Sequence, residues 1–243
     1  KYGIKAFDFL GNSFSFFIYD FKVKNFFIFR DHIGFNNIYF TKSKNSIFLT
    51  STLGGLKRFT KNNFIVDKKN LKNFLHMMPI KSNETFYSGI KKVPPSNYLE
   101  LSNGFLSVRP YKKFNDIKIA MRKEDQVNGL KDLLKKAIIR DEDILDEKIG
   151  FLFSGGLDSS TIISFYKKYK KKNQKLFAYT ATFDHINEEV KRFIDERDYQ
   201  QEITRNKDIE DRSFKAQNLS TLSNLDKYLE LIGQPFFFPN LYI

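Results

Sequence analysis

The sequence contains no cysteine, which excludes disulfides and every thiolate-based metal site. Histidine is scarce as well: His32, His76 and His185 stand far apart, lack the spacing of a metal-ligand set, and read as ordinary packed or solvated residues. No apolar run approaches the ~20 residues that span a bilayer, and no secretory signal pattern is present. The cytoplasm is therefore the expected compartment, and no membrane partner is expected. The Gly-Lys-Ser/Thr ending of the ATPase and GTPase phosphate loop is missing, which excludes that class of nucleotide site. Acidic residues are few against basic ones, 28 Asp and Glu to 41 Lys and Arg, for a net charge of +13. A basic surface attracts polyanions without sequence preference. Yet the lysines are spread along the chain, and the densest run, Lys167-Lys168-Tyr169-Lys170-Lys171-Lys172, ends a predicted helix, where cations complement the dipole. Coding bias is the simpler account of the lysine excess, and nucleic acid is not an expected partner.

What is present is ample for packed cores. The chain has 243 residues, of which 41% are hydrophobic, with 28 Phe and 12 Tyr, a length that suggests two domains. Residues 1 to 110 read as strands and turns. Aromatic and β-branched runs at Ser13–Tyr19 and Asn25–Arg30 flank a short polar connection and predict a hairpin. A second hairpin is predicted from Asn37–Thr41 and Ser46–Thr50, and a third from Tyr98–Leu101 and Phe105–Val108 across Ser102-Asn103-Gly104, since Asn-Gly accepts the positive φ such turns need. Leu71, Phe74, Leu75 and Met78 fall at helical spacing and predict a short amphipathic helix stopped by Pro79. Nothing in this half forms a catalytic cluster.

Residues 111–125 read as a linker, followed by a second domain over 126–243. A helix from about Lys123 places Val127, Leu130, Leu133, Leu134, Ala137 and Ile138 on one face, with Lys131, Lys135 and Lys136 as solvated charges facing away. After an acidic loop at 141–148 comes the stretch that carries chemistry. The apolar run Lys148–Phe153 leads into Ser154-Gly155-Gly156-Leu157-Asp158-Ser159-Ser160, which opens into Thr161–Tyr166, so a buried strand turns there into a helix. Unpaired N–H groups at a helix start favour an anion, and two glycines let it approach the backbone. The three serines add hydroxyls. Asp158 would repel phosphate unless it holds a divalent cation bridging the phosphate oxygens, so Asp158 predicts Mg²⁺. The bland reading, a tight turn with a helix cap, is the weaker one for all seven residues together. Lys175–Phe183 reads as the second strand of a parallel βαβ unit, and ligands of such sheets sit at the carboxyl ends of the strands.

Ser-Gly-Gly-Leu-Asp-Ser-Ser resembles the pyrophosphate loop of the N-type ATP pyrophosphatases, above all that of the glutamine-dependent asparagine synthetases. Three further segments carry an independent resemblance. Leu10–Asp20 is similar to the "L-x-G-x-F-A-F-x-x-x-D" segment of class II glutamine amidotransferase domains. Arg30–Phe40 resembles that family's "R-D-x-x-G-x-x-P-L-Y-Y", with Asn37 in the proline position, and Glu84–Leu99 matches "T-x-F-x-G-I-x-x-L-P-P-G-x-x-L". Asp195-Glu196-Arg197-Asp198-Tyr199 resembles "D-E-x-x-Y-A", read equally as a charged helix start or as part of the nucleotide site. Gly233–Asn240 is similar to the "E-P-x-x-x-P" loop near the active-site entrance.

The resemblance implies an α/β and α+β chain. Its first part is the C-terminal half of an Ntn-hydrolase-like glutaminase domain, mainly antiparallel β; its second is part of a Rossmann-like parallel α/β pyrophosphatase domain. It implies ATP and Mg²⁺, with Phe153, Ser154, Gly155, Gly156, Leu157, Asp158, Ser159, Ser160 and Ala181 at the nucleotide, Asp158 on the metal, and backbone groups of Phe153 and Ala181 at the adenine edge. The implied substrates are ATP, aspartate or another carboxylate, and glutamine or ammonia; a homodimer is allowed. Aspartate would be activated as an acyl-adenylate and amidated to asparagine. The alternatives are related amide-forming cyclases of the β-lactam or lasso-peptide kind, or a non-catalytic nucleotide-binding remnant. The departures are equally specific. The family's N-terminal cysteine nucleophile and its later "S-G-E-G-x-D-E" loop have no counterpart here, so the expectation is a fragment of a longer protein or a defunct glutaminase, inactive by itself. Thr52 stands where the family's "F-x-S-E" has its acidic residue.

Overall fold

The computed structural model describes residues 6–7, 9–11, 13–43, 46–60, 64–114, 121–139, 148–170, 172, 174–182, 187, 189, 196–205, 208–215 and 224–235. The predicted acidic loop, His185, Asp195 and the segment from Phe236 lie outside them. The chain forms two compact units, residues 1–117 with 224–238, and residues 118–223 with 239–243.

In the first unit the predicted hairpins form. β1 (Ser15–Asp20) pairs antiparallel with β2 (Asn25–Arg30), and β3 (Tyr39–Lys42) with β4 (Ile47–Thr50). β5 (Ile90–Lys92) adds to β3. β6 (Asn97–Ser102) and β7 (Phe105–Pro110) pair across Asn103 and Gly104, at φ 49° and 78°, the left-handed pair that a two-residue hairpin turn requires. Two antiparallel sheets result, in the orders β1-β2-β6-β7 and β4-β3-β5. Alternation along the strands then sorts the side chains. Ile28 and Leu99 of the first sheet pack with Ile38, Phe40 and Val93. Phe29 and Tyr98, one residue out of phase, join Phe7, Phe14, Phe16 and Tyr111 on the opposite face. The far side of the second sheet meets α1 (Leu53–Thr60) through Tyr39, Ile90, Leu53 and Leu56. Thr52 accepts the N–H of Gly55 at 3.1 Å, so the residue that departs from the acidic pattern caps this helix.

α2 (Lys68–Leu75) is capped by Asp67, which accepts from Lys69 and Asn70. It stops earlier than Pro79 predicts, with His76 as C-cap and Met77 at φ 56°. Its buried residue is Asn70, whose amide donates to the Thr85 carbonyl at 2.8 Å, whereas Leu75 and Met78 of the predicted apolar stripe are exposed.

A buried charge organises the loop after β2. Arg30 donates to the carbonyls of Asn36 (2.6 Å), Val93 (2.6 Å) and Gly34 (2.5 Å) and to Asn37 Oδ1 (2.8 Å). Asp31, fully buried, accepts from the N–H groups of Ile33, Phe35 and Asn36. Burial alone would raise its pKa, but the backbone donors outweigh burial and hold the carboxyl below its ordinary value. Tyr111 closes the same corner, donating to the Arg30 carbonyl at 2.7 Å. Burial and the Asp31 charge push its hydroxyl up to about 12.

The last helix of the chain, α6 (Leu225–Ile232), belongs to this first unit by its contacts although the sequence division puts it in the second domain. It lies on α1, where Gly54 faces the carbonyls of Glu230 and Leu231 and Gly233 faces Gly54 and Leu53. Arg58 pairs with Glu230 at 2.6 Å, and Tyr87 donates to the Gly233 carbonyl at 2.7 Å.

The second unit is built on a parallel sheet whose strands lie in the order β11 (Ile209–Asp211), β9 (Lys175–Tyr179), β8 (Lys148–Leu152). α3 (Lys123–Ile139) precedes β8 (Lys148–Leu152), α4 (Leu157–Tyr169) follows it, and β9 (Lys175–Tyr179) lies parallel beside β8. α5 (Arg197–Thr204) leads into β11 (Ile209–Asp211), parallel to β9. Its core joins Phe153, Leu176, Ala178 and Ile209 to Ile163 and Tyr166 of α4, with Ile138 and Ile203 at the margin. Three expectations change here. The strand predicted over 175–183 breaks at Thr180, because Phe214 of β12 (Phe214–Lys215) donates to the Thr180 carbonyl and draws β10 (Ala181–Thr182) away. The apolar stripe of α3 is mostly exposed at Val127, Leu130 and Leu133. Lys135, expected as a free surface charge, sits 4.3 Å over the Tyr169 ring.

Two measurements follow. Gly54→Ala would drive a Cβ into the Glu230 carbonyl, so thermal unfolding should show a loss of about 1–3 kcal/mol; an unchanged melting temperature would refute the close contact. For Tyr111, the folded-state pKa lies above the unfolded value of roughly 10, so its stabilisation is complete below that pH and is lost as pH rises toward about 12. Urea midpoints measured over that window should fall less steeply in Tyr111→Phe than in the parent.

Candidate functional site

The loop between β8 and α4 sits at the carboxyl end of the parallel sheet. Phe153, almost fully buried, ends the strand: its N–H donates to the Tyr179 carbonyl at 2.9 Å, and its carbonyl accepts the Thr180 hydroxyl at 2.8 Å. The chain then turns through Gly155 at φ 93°, a conformation that side-chain-bearing residues rarely adopt. A Cβ there would also lie 2.8–3.0 Å from the Glu196 carbonyl oxygen, Glu196 Cβ and Gln200 Cγ. Glycine at 155 is thus required twice, by the turn and by the approach of α5.

Gly156 is the N-cap of α4 and brings no side-chain cap hydrogen bond. The start of the helix therefore keeps its dipole and its first-turn N–H groups facing the loop, the arrangement that binds anions. The serines behave differently from the free donors that the sequence suggests. Ser154 Oγ accepts the Gly156 N–H at 3.1 Å and lies 3.2 Å from Ser159 Oγ, Ser159 Oγ donates to the Gly156 carbonyl at 3.2 Å, and Ser160 Oγ to the Gly155 carbonyl at 3.1 Å. The hydroxyls hold the loop in shape. Leu157 and Asp158 point outward from the first turn, both exposed, and Leu152, exposed as well, precedes the loop.

All the loop residues named from the sequence come together here. Ala181 lies past the strand break, half-buried and paired with Phe214, next to the Thr180 that bonds Phe153. Two further residues touch the loop: Gln200 of α5, which the sequence did not single out, and its N-cap Glu196, whose segment the sequence read equally as a helix start or as part of the nucleotide site. Gln200, 8% exposed, donates from Nε2 to the Ser154 carbonyl at 2.6 Å. Glu196 lies over Gly155 and Gly156. The motif around Glu196 gave a signal, since it matched as a segment; a single glutamine inside a helix gives none.

Among the described residues no group of three or more His, Cys, Asp or Glu gathers as a metal site. Asp158 at the loop nonetheless fits Mg²⁺, which takes one or two carboxylates and completes its shell with phosphate oxygens and water. His32 packs against Phe14 and Tyr111, and His76 is exposed with Nδ1 2.8 Å from the Lys72 carbonyl. No helix among the described residues is long and apolar enough to cross a membrane.

An antiparallel β unit is thus followed by a parallel unit with a glycine-serine loop between strand and helix. Residues 1–112 match the glutamine amidotransferase domain family, and residues 129–241 match the asparagine synthase family. The chain is also 24% identical over 144 residues to asparagine synthetase [glutamine-hydrolyzing] 1 of Bacillus subtilis (strain 168), a match covering 58% of this chain and 22% of that protein. The two domain matches and this relative together support placing the chain with the glutamine-dependent asparagine synthetases. The mixed α/β architecture with both antiparallel and parallel sheets agrees with that pair of domains.

The loop geometry sets a test of the metal assignment. Asp158→Asn should lower MgATP affinity at least about tenfold, ~1.4 kcal/mol, in calorimetric titrations, with the loss confined to the Mg²⁺-dependent component. Undiminished binding would remove the role given to this carboxylate.

Proposed function

We propose that this chain carries the nucleotide half of an ATP-dependent, glutamine-hydrolysing amidotransferase that makes asparagine from aspartate. The observation that carries the reading is the Ser154–Ser160 loop: a positive-φ glycine, a helix start without a side-chain cap, and an outward carboxylate, all at the carboxyl end of a parallel sheet. The first unit then serves as part of an Ntn-hydrolase-like glutaminase domain and the second as part of a Rossmann-like pyrophosphatase domain.

A carboxylate is a poor acyl electrophile. Attack of its oxygen on the α-phosphorus of ATP forms an acyl-adenylate and expels pyrophosphate, and ammonia then displaces AMP to leave the amide. The first-turn N–H groups of α4 hold the departing pyrophosphate, and negative charge building on the bridging oxygen meets the positive end of the helix. Asp158 would hold Mg²⁺, which when bound would supply neutralisation of phosphate charge. Backbone groups at Phe153 and Ala181 border the adenine; the Phe153 N–H is already bonded to Tyr179, which leaves the second lone pair of its carbonyl for that contact. The acceptor carboxylate and the ammonia supply belong to the whole protein, in which glutamine is hydrolysed.

The test is pyrophosphate release from MgATP with a panel of carboxylates, measured on the protein from its own source. Release that depends on aspartate supports an asparagine synthetase. Dependence on another carboxylate would redirect the reading to a related amide-forming enzyme. MgATP bound and left intact with every carboxylate would make the chain a nucleotide-binding protein and overturn the proposal.

A further inference from the structure

One of the residues that stand over the phosphate loop is an acid. Glu196 is the N-cap of α5, yet its side chain makes no cap hydrogen bond to its own helix. Its carboxylate turns instead toward the loop, with oxygens 3.3 and 3.7 Å from the place a Cβ on Gly156 would occupy. The placement is anchored from below. The Gln200 N–H donates to the Glu196 carbonyl at 3.0 Å, the buried Gln200 amide donates to the Ser154 carbonyl at 2.6 Å, and Thr204 Oγ1 donates to the Gln200 carbonyl at 2.9 Å. Ile203 fixes the other side of the helix in the core. The carboxylate is therefore carried by a rigid element that is tied to the loop it faces.

A fixed negative charge beside an anion cradle opposes a bare polyphosphate far more strongly than one whose charge a divalent cation has partly neutralised. We infer that Glu196 makes the 154–160 loop selective for metal-complexed polyphosphate over the free anion, acting as a specificity-determining residue and not as a metal ligand. The inference rests on the reading of this loop as a phosphate site and adds to it a reason for a second carboxylate beside Asp158. Asp158 recruits the cation; Glu196 rejects the ligand that arrives without one. A solvent-exposed pair of like charges would be screened within a Debye length of about 8 Å at physiological salt, but the half-buried position of Glu196 against the loop backbone keeps the repulsion at short range.

The experiment titrates inorganic pyrophosphate into the chain by calorimetry, once with excess Mg²⁺ and once with EDTA, for the parent, Glu196→Gln and Glu196→Ala. Both variants should bind metal-free pyrophosphate on the order of tenfold more tightly, while affinity for the Mg²⁺ complex stays within about twofold. The parent's preference for the complex thus shrinks by that tenfold, and the Gln variant, which keeps the shape of the side chain, separates charge from packing. Unchanged metal-free affinity in Glu196→Gln would overturn the inference. So would weakened binding of the Mg²⁺ complex, which would make Glu196 a ligand. If the parent binds neither form, the phosphate reading of the loop itself fails, an outcome distinct from both.

Discussion

The second unit depends on one backbone angle. At Gly155 the chain leaves β8, whose own residues are exposed or half-buried rather than buried as the sequence suggests, and must enter a helix within two residues, and φ 93° accomplishes the reversal. From that single turn follow the orientation of the Ser154 carbonyl toward Gln200, the closing of three serine hydroxyls onto the loop, and the helix start left without a side-chain cap. A side chain at 155 would displace α5 as well as strain the turn. The chemistry proposed for the loop is thus a property of backbone geometry, with side chains acting mainly to hold it.

The first unit shows the opposite use of polar groups. Arg30 and Asp31 are buried charges, and burial opposes the charged form of each. Their hydrogen bonds go to backbone carbonyls, backbone amides and one amide side chain. Perturbed titration marks functional sites often enough to be a guide, but here it marks a structural corner that fixes the loop between β2 and β3. The Arg-Asp pair recognised as a family motif reads physically as a scaffold.

Much of the fold was legible because local rules and tertiary demands agree in it. Asn103-Gly104 specified a hairpin turn, the aromatic runs specified strands, and Ser154–Ser160 specified a strand-to-helix turn. Periodicity failed where burial is decided by partners far away in sequence. The spacing of Leu71, Phe74, Leu75 and Met78 predicted a buried stripe, yet Asn70 is the buried residue of α2, because the Thr85 carbonyl is waiting for its amide. The break at Thr180 depends on a partner strand at Phe214, and nothing in Lys175–Phe183 announces it. Gln200 escaped notice for the same reason: its role lies in a bond to a carbonyl 46 residues earlier.

The placement of α6 bears on how the chain is made. The asparagine synthase match covers residues 129–241, but α6 completes the first compact unit, through contacts such as Arg58 with Glu230 that span 172 residues. On the ribosome the α1 surface around Gly54 emerges early and waits uncovered while the whole second unit is synthesised. Contacts of such long range form late and slow the folding of the elements that need them. A nascent chain of this kind carries the α1 face uncovered until α6, more than 160 residues further on, has been made.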